Sequence, residues 1–259
     1  MSFALITGAS RGIGKSIATE LATRKFNILL VARDEQQLKE HALHLHSKYG
    51  ILVDFFAVDL TEDGAVDKLM RWLEEKLYTV SMLVNNAGYG LSGSMDSYSL
   101  LEHKNMMKLN MVVPVALTYR LLPMLSSQKK SYILNIGSSA SYQSVPGMNI
   151  YAASKSFILS FSRGLSYELK NTSISVTVVS PGATNTSFPT RAKIFGAKAV
   201  KMAKATNMSP EAVAKIAVEA MLKGQTEIVA GLLNKVGVLL AWLLPKKIIE
   251  KSVADIYGM

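Results

Sequence analysis

A chain of 259 residues that is 49% hydrophobic and 19% charged can fill one sizeable core and carries too few charges for a disordered chain. It has no cysteine, which excludes disulfides, thiolate nucleophiles and cysteine-ligated metals and suits a reducing cytosol. The formal charge of +10 fits a solvated basic surface or attraction of anionic ligands. With no aromatic-basic recognition motif, nucleic acid is not an expected partner.

The first strand-like run, Phe3–Thr7, begins almost at Met1. That leaves no room for a signal peptide and sets the expectation of a cytoplasmic protein. A glycine-rich turn follows, then a helix over Gly14–Arg24. A second strand is expected at Asn27–Ala32, with Asp34 as N-cap of a helix over Glu35–Lys48. The third strand, Val53–Val58, precedes a helix over Glu62–Leu77 for which Thr61 is the expected N-cap. The fourth strand, Met82–Asn85, leads to a long helical stretch, Ser97–Ser126, with a kink or break at Pro114. Strand Tyr132–Ile136, helix Tyr151–Lys170 and strand Ser175–Val179 come next. A helix opens at Ser209-Pro210-Glu211, with Ser at N-cap and Pro at N1, before a last strand at Glu227–Ala230.

The strands are short and apolar throughout rather than alternating, as expected when both faces are covered. Repeated strand-helix-strand order implies right-handed crossovers and an α/β, doubly wound parallel sheet of the Rossmann type. No repeat or linker divides residues 1–259, so one domain is expected. Residues 187–208, with Lys193, Lys198, Lys201 and Lys204, have weak periodicity and are expected to form a lid or helical insertion over the substrate. Residues 232–259 form a C-terminal extension. Its apolar run, Val236–Leu244, is too short to span a bilayer, which needs about 20 residues. It is expected to pack on the core or a partner subunit, with peripheral membrane contact as the alternative.

The turn Thr7-Gly8-Ala9-Ser10-Arg11-Gly12-Ile13-Gly14 has the chemistry of a phosphate cradle. Gly8 permits the tight turn, Gly12 lets the backbone approach a pyrophosphate, and Gly14 lets helix and strand pack closely. The helix N-terminus offers free N–H groups and a positive dipole end. At the end of the second strand, Ala32 stands where a carboxylate would hold the ribose 2′-OH of NAD, and Arg33 follows it. Arg33 and Arg11 together suit the 2′-phosphate of NADP. Asp34 is read as the helix N-cap, with ribose contact as the competing role.

Tyr151 and Lys155 are four apart at a helix start and share one face. A phenol has an ordinary pKa of about 10. An ammonium one turn away, and a cationic nicotinamide nearby, would favour its ionised form. That would make the tyrosine a general acid in reduction and a general base in oxidation. Ser138, at a strand end, would donate to a substrate oxygen.

In these motifs the chain resembles the short-chain dehydrogenase/reductase superfamily, from Thr7 to about Gly231. The glycine turn matches Thr-Gly-x-x-x-Gly-x-Gly, and Asn85-Asn86-Ala87-Gly88 matches Asn-Asn-Ala-Gly. Asn110, Ser138, Tyr151 and Lys155 match its catalytic tetrad, with Ser138 chosen over Ser139 by its spacing of thirteen from the tyrosine. The resemblance implies the strand order 3-2-1-4-5-6-7 and homodimers or homotetramers built from the long helices. It implies NADP(H) contacts from Gly8, Ser10, Arg11, Gly12, Ile13, Gly14, Arg33, Asp59, Leu60, Asn86, Ala87, Gly88, Tyr151, Lys155, Pro181, Gly182 and Thr186, and no metal. Asn110 would hold a water linking the lysine to solvent. The expected activity is hydride transfer between NADP(H) and a carbonyl or alcohol, with a hydrophobic ketone, aldehyde or 3-oxoacyl compound as substrate. The alternative is a catalytically idle NADP-binding sensor.

Overall fold

The computed structural model describes residues 1–194 and 196–259, the side chains of 197 and 202–205 aside; Lys204 of the expected lid therefore lies outside the described side chains. Seven parallel strands form one sheet in the order β3-β2-β1-β4-β5-β6-β7. They are β1 (Ser2–Thr7), β2 (Asn27–Ala32), β3 (Val53–Ala57), β4 (Thr79–Asn85), β5 (Ser131–Ile136), β6 (Ile174–Ser180) and β7 (Glu227–Val229). Helices α1 (Gly12–Thr23), α2 (Glu35–Tyr49) and α3 (Ala65–Glu75) connect the first four strands, and α4 (Leu100–Met107) and α5 (Val113–Ser126) lie between β4 and β5. Then come α6 (Asn149–Glu168), two short helices α7 (Phe188–Arg191) and α8 (Ala197–Thr206), and α9 (Pro210–Leu222) before β7. The chain closes on α10 (Leu232–Leu243) and α11 (Lys246–Tyr257).

The continuous apolarity of the strands has the expected cause, because successive residues point to opposite faces and both faces are covered. Ile6, Ile28, Leu30, Val84 and Leu134 face a core closed by Ile17 and Leu21 of α1, Leu38 and Leu45 of α2, and Val218 and Met221 of α9. Leu5, Leu29, Val31, Leu83 and Ile133 face the other, closed by Leu69 and Leu73 of α3 and Leu117 and Leu121 of α5. Removing one such fully buried leucine to alanine typically costs about 2–5 kcal/mol.

The chain runs outward from β1 through β2 to β3, then returns to lay β4 on the other side of β1. This reversal opens a crevice at the C-terminal ends of β1 and β4, the place where open α/β sheets bind ligands.

One local expectation is corrected and one takes a particular form. Thr61 does not cap α3: its N–H and hydroxyl both donate to Asp59 Oδ1, at 2.9 and 2.7 Å, and the helix starts at Ala65 behind a left-handed Gly64. The long helix breaks one turn before Pro114, as a π-turn over Lys108–Val112. Proline has no N–H for the carbonyl four residues back and its ring crowds that carbonyl, so the wider turn relieves the clash. The stretch Leu100–Ser126 is long and apolar enough to cross a membrane by length and composition. Its inner residues Val113, Leu117, Leu121 and Leu125 are sealed in the core.

Candidate active site

A cavity of about 1040 Å³ occupies the crevice. Its floor is the glycine turn. Gly8 has φ +66°, and a Cβ there would stand 2.7 Å from Asn86 Nδ2 and 2.9 Å from Ala87 Cα. Gly14 packs so closely that a Cβ would collide with the Gly8 carbonyl and the Asn86 side chain. Gly12, φ +54°, faces Thr186 across the rim. Asn86 locks β4 to β1: its Nδ2 donates to the Thr7 and Gly8 carbonyls at 2.9 and 3.2 Å. Thr7 Oγ1 accepts from the N–H groups of Asn86 and Ala87 at 3.0 Å. The first turn of α1 has no side-chain cap, so its N–H groups face the cavity end unclaimed by side chains. Bare backbone, a left-handed turn and free helix N–H groups fit a dinucleotide pyrophosphate.

The basic end lies past β2. Arg33 pairs with Asp59 at 3.2 Å and Arg11 with Asp34 at 3.2 Å, all four lining the cavity. Asp34 caps α2 through Oδ1, which accepts from Gln37 N, while Oδ2 takes Arg11. Both its oxygens are thus engaged, which favours the capping role over ribose contact. Burial alone would raise the Asp59 carboxyl, but hydrogen bonds from Thr61 and Arg33 hold it below the ordinary carboxylate value. Arg191 of α7, not anticipated from sequence, joins this end. Burial, Arg33 and Arg11 together lower its guanidinium, a sign that three cations converge there.

At the opposite end, Ser138 follows β5 and Tyr151 and Lys155 lie on the first turns of α6. Tyr151 is buried and its pKa is pushed up to about 12 by that burial, with Ser138 pulling it part of the way back and Tyr257 adding to the rise. Burial also lowers the Lys155 pKa to about 8. Lys155 Nζ donates to the Ile136 carbonyl at 2.8 Å and sits 5.9 Å from the Tyr151 ring centre. Burial sets the direction of the shift and Lys155 is not among the groups that move the phenol, so the expected help from the ammonium is not seen. A phenol so held keeps its proton at neutral pH.

Asn110 stands in the π-turn, behind the cavity wall rather than on it. Its Nδ2 donates to Tyr89 O at 2.9 Å and Ser154 Oγ at 3.0 Å, and its Oδ1 accepts from Tyr89 N at 3.1 Å. A Cβ on Gly88 would come within 2.8 Å of Asn110 Oδ1 and 3.5 Å of Lys155 Nζ, so the two side chains converge on that glycine. Of the residues expected to touch the cofactor, only Gly14 does not line the cavity; it acts through packing. Ser10, Ile13, Leu60, Ala87, Gly88, Pro181, Gly182 and Thr186 all line it.

The space beside Tyr151 is apolar. Val145, Met148, Phe188, Ile194, Val253 and Tyr257 surround it, with the Phe188 ring 5.4 Å from that of Tyr151. Val253 and Tyr257 come from α11, and Asn234 of α10 reaches the cavity against Gly182. The sequence reading missed these three. The spacing Ile249, Val253, Tyr257 marks one apolar helix face but not what it faces. Among the described residues, no acidic, histidine or cysteine cluster could hold a metal.

A crevice floored by glycines at a sheet's switch point, ending in a phenol and an ammonium one helical turn apart, defines the class of nicotinamide-dependent oxidoreductases. The family model for short chain dehydrogenases matches residues 2–194, and the chain belongs to that family. It is 31% identical over 235 residues to the NADP-dependent 3-hydroxy acid dehydrogenase of Schizosaccharomyces pombe, covering 87% of this chain and 89% of that protein. Among solved structures, a short-chain dehydrogenase from Sphingobium yanoikuyae in complex with NADPH superposes with a TM-score of 0.82, at 28% identity, over 95% of this chain and 97% of that one. One from Burkholderia phymatum in complex with NAD shares the fold at a TM-score of 0.82 and 22% identity, covering 92% of each chain.

Proposed function

We propose that this oxidoreductase uses NADP(H) and reduces a hydrophobic ketone, aldehyde or 3-oxoacyl compound. The observation that carries the reading is a buried phenol, Tyr151, sharing with Ser138 the apolar end of a cavity whose far end holds arginines. When bound, the cofactor supplies the hydride.

The chain's residues do the rest. Gly8, Gly12 and the uncapped N–H groups of α1 hold the pyrophosphate. Arg11 and Arg33 hold the 2′-phosphate by charge-assisted hydrogen bonds, each already oriented by a carboxylate, and Arg191 adds a third positive charge. Ser138 donates to the substrate oxygen as negative charge grows on it. Tyr151 gives its proton to that oxygen, a role suited to a phenol that stays protonated. Lys155, fixed by the Ile136 carbonyl, orients the nicotinamide ribose and returns a proton toward Tyr151. Asn110 links Lys155 to solvent through water. Pro114 supports this role, since it has no N–H to give the Asn110 carbonyl and leaves that acceptor free of its usual helical partner.

Residues 1–259 act as one domain, with 187–208 as the substrate lid: Phe188 already lies against Tyr151. Exposed Val112, Tyr119 and Phe157 on the long helices give a second copy an apolar face to bury. The idle-sensor alternative has no observation in its favour, because a pure binder has no use for a buried phenol and ammonium beside its ligand.

A screen of NADPH oxidation over ketones, aldehydes, quinones and 3-oxoacyl thioesters tests the reading. Tyr151→Phe should abolish turnover of whichever substrate is found while NADPH still binds. A phenylalanine variant that keeps most of its kcat would overturn the assignment.

A further inference from the structure

Helix α10 is unlike the other surface helices. Only Asn234, Val238 and Ala241 turn inward; Leu232, Leu233, Leu239, Leu240, Trp242 and Leu243 are exposed, Trp242 at 77%. A helix that is apolar nearly all round belongs in a core or in lipid, and nothing among the described residues covers it. Twelve residues reach about 18 Å, well short of a bilayer's hydrocarbon thickness. The helix can therefore lie along a membrane surface but not cross it.

The charges around it select the occupant. Between Leu232 and Lys251 stand four lysines and one acid, Glu250. Lys246 is spent on the Ala241 carbonyl, at 2.7 Å, which closes the end of α10. Lys235, Lys247 and Lys251 are exposed and, among the described residues, in no ion pair. A second copy packed face to face about a two-fold axis would bring this lysine-rich surface onto itself, like charge facing like. Anionic headgroups offer the opposite sign, with the acyl region just below to receive the leucines and Trp242.

We propose that α10 and its flanking lysines form a docking surface for an anionic phospholipid membrane. The helix lies in the interface with Trp242 and the leucines inserted and Lys235, Lys247 and Lys251 at headgroup level. The surface adjoins the cavity, because Asn234 of α10 and Val253 and Tyr257 of α11 line its wall. Docking therefore brings the apolar end of the cavity beside the bilayer.

Flotation tests this without reference to turnover, so its failure leaves the carbonyl-reductase reading untouched. Vesicles of phosphatidylcholine mixed with phosphatidylglycerol should carry the full chain upward, and pure phosphatidylcholine should carry about tenfold less, given how strongly such contacts depend on anionic lipid. Leu239→Glu combined with Trp242→Glu should abolish flotation. Both residues are exposed, so an unchanged melting temperature and unchanged NADPH binding will show that the fold is intact. Lys247→Glu with Lys251→Glu should weaken it, as should added salt. The proposal is overturned if the wild-type chain stays with the soluble fraction, or if the Leu239/Trp242 pair floats undiminished. It is equally overturned if sedimentation shows a dimer that this pair breaks while no vesicle is bound, since a second copy would then cover the face.

Discussion

Arg33 and Lys155 show how much a single side chain carries in this site. Arg33 is mostly exposed and tied to Asp59 by one nitrogen of its fork, so its remaining N–H groups stay free for a phosphate. Arg33→Ala should raise the KM for NADPH at least tenfold and the KM for NADH little, since losing a charge-assisted bond to an ionised group costs about 1.5–3 kcal/mol. Steady-state kinetics with both cofactors decides it, and equal effects would remove the 2′-phosphate assignment. Lys155 is a buried cation, and its pKa is lowered from 10.5 to about 8 by burial. Below pH 8 both folded and unfolded chains hold its proton, and the folded state bears the full cost of a buried charge. Between about 8 and 10.5 the unfolded chain holds more protons, so this residue makes stability rise with pH, by up to about 3 kcal/mol across the window. Denaturant unfolding of Lys155→Met should lack that rise; matching slopes in the two proteins would refute it. The identity of both residues was legible in the sequence, through motif spacing and strand position. Their electrostatics were not, because burial is a property of the folded surroundings: the same Tyr-x-x-x-Lys spacing on an open helix would have tuned the phenol the other way.

Secondary elements were legible where pattern and local chemistry agree, and misread where a side chain had a better offer elsewhere. Asp34 caps α2 and Ser209 caps α9, as their sequence contexts demand. Thr61 looks equally apt, yet Asp59 takes both its donors and α3 begins later. The break near Pro114 was visible, but its form, a π-turn that brings Asn110 toward Lys155, depends on how the helix packs. The contact of α1 with α2 holds a further element-scale consequence in His41. It is buried between them, with Nε2 3.3 Å from Thr19 Oγ1. Burial foremost, then Lys15 and His44, lower its pKa from 6.5 to about 4, against a hydrogen bond that the ring donates to the Ala9 backbone. As pH falls through that window the unfolded chain takes up a proton before the folded one, so the α1–α2 contact loses stability, by roughly 1–3 kcal/mol. His41→Leu should flatten this acid limb in urea unfolding measured between pH 6.5 and 4, and parallel curves for both proteins would exclude the mechanism.

At the scale of the whole molecule, the site is assembled from opposite ends of the chain. The glycine turn comes from the first residues, and the wall facing Tyr151 comes from the last helix. The cofactor cradle could be read in advance because it lies within one strand-turn-helix unit, while the strand order came from the family resemblance and is met by the sheet. The wall could not, because a helix face announces that it is covered but not by what. Tyr257 and Met259 close over Gly147, whose lack of a side chain leaves them space: a Cβ there would lie 3.2 Å from each. Tyr257 is largely buried and close enough to raise the Tyr151 phenol further. It therefore belongs to the substrate end of the cavity, opposite the arginines that meet the cofactor. Tyr257→Ala removes apolar wall beside the reacting carbonyl and leaves the glycine floor alone. Loss of one such contact changes discrimination by about 1–3 kcal/mol, so kcat/KM for a bulky apolar ketone should fall roughly 10- to 100-fold. NADPH affinity, read by fluorescence titration, should stay within about twofold, because the change in binding free energy at a site that keeps all its contacts is a small fraction of about 1.4 kcal/mol. A matching loss of NADPH affinity would mean that α11 supports the whole crevice instead of shaping its substrate end.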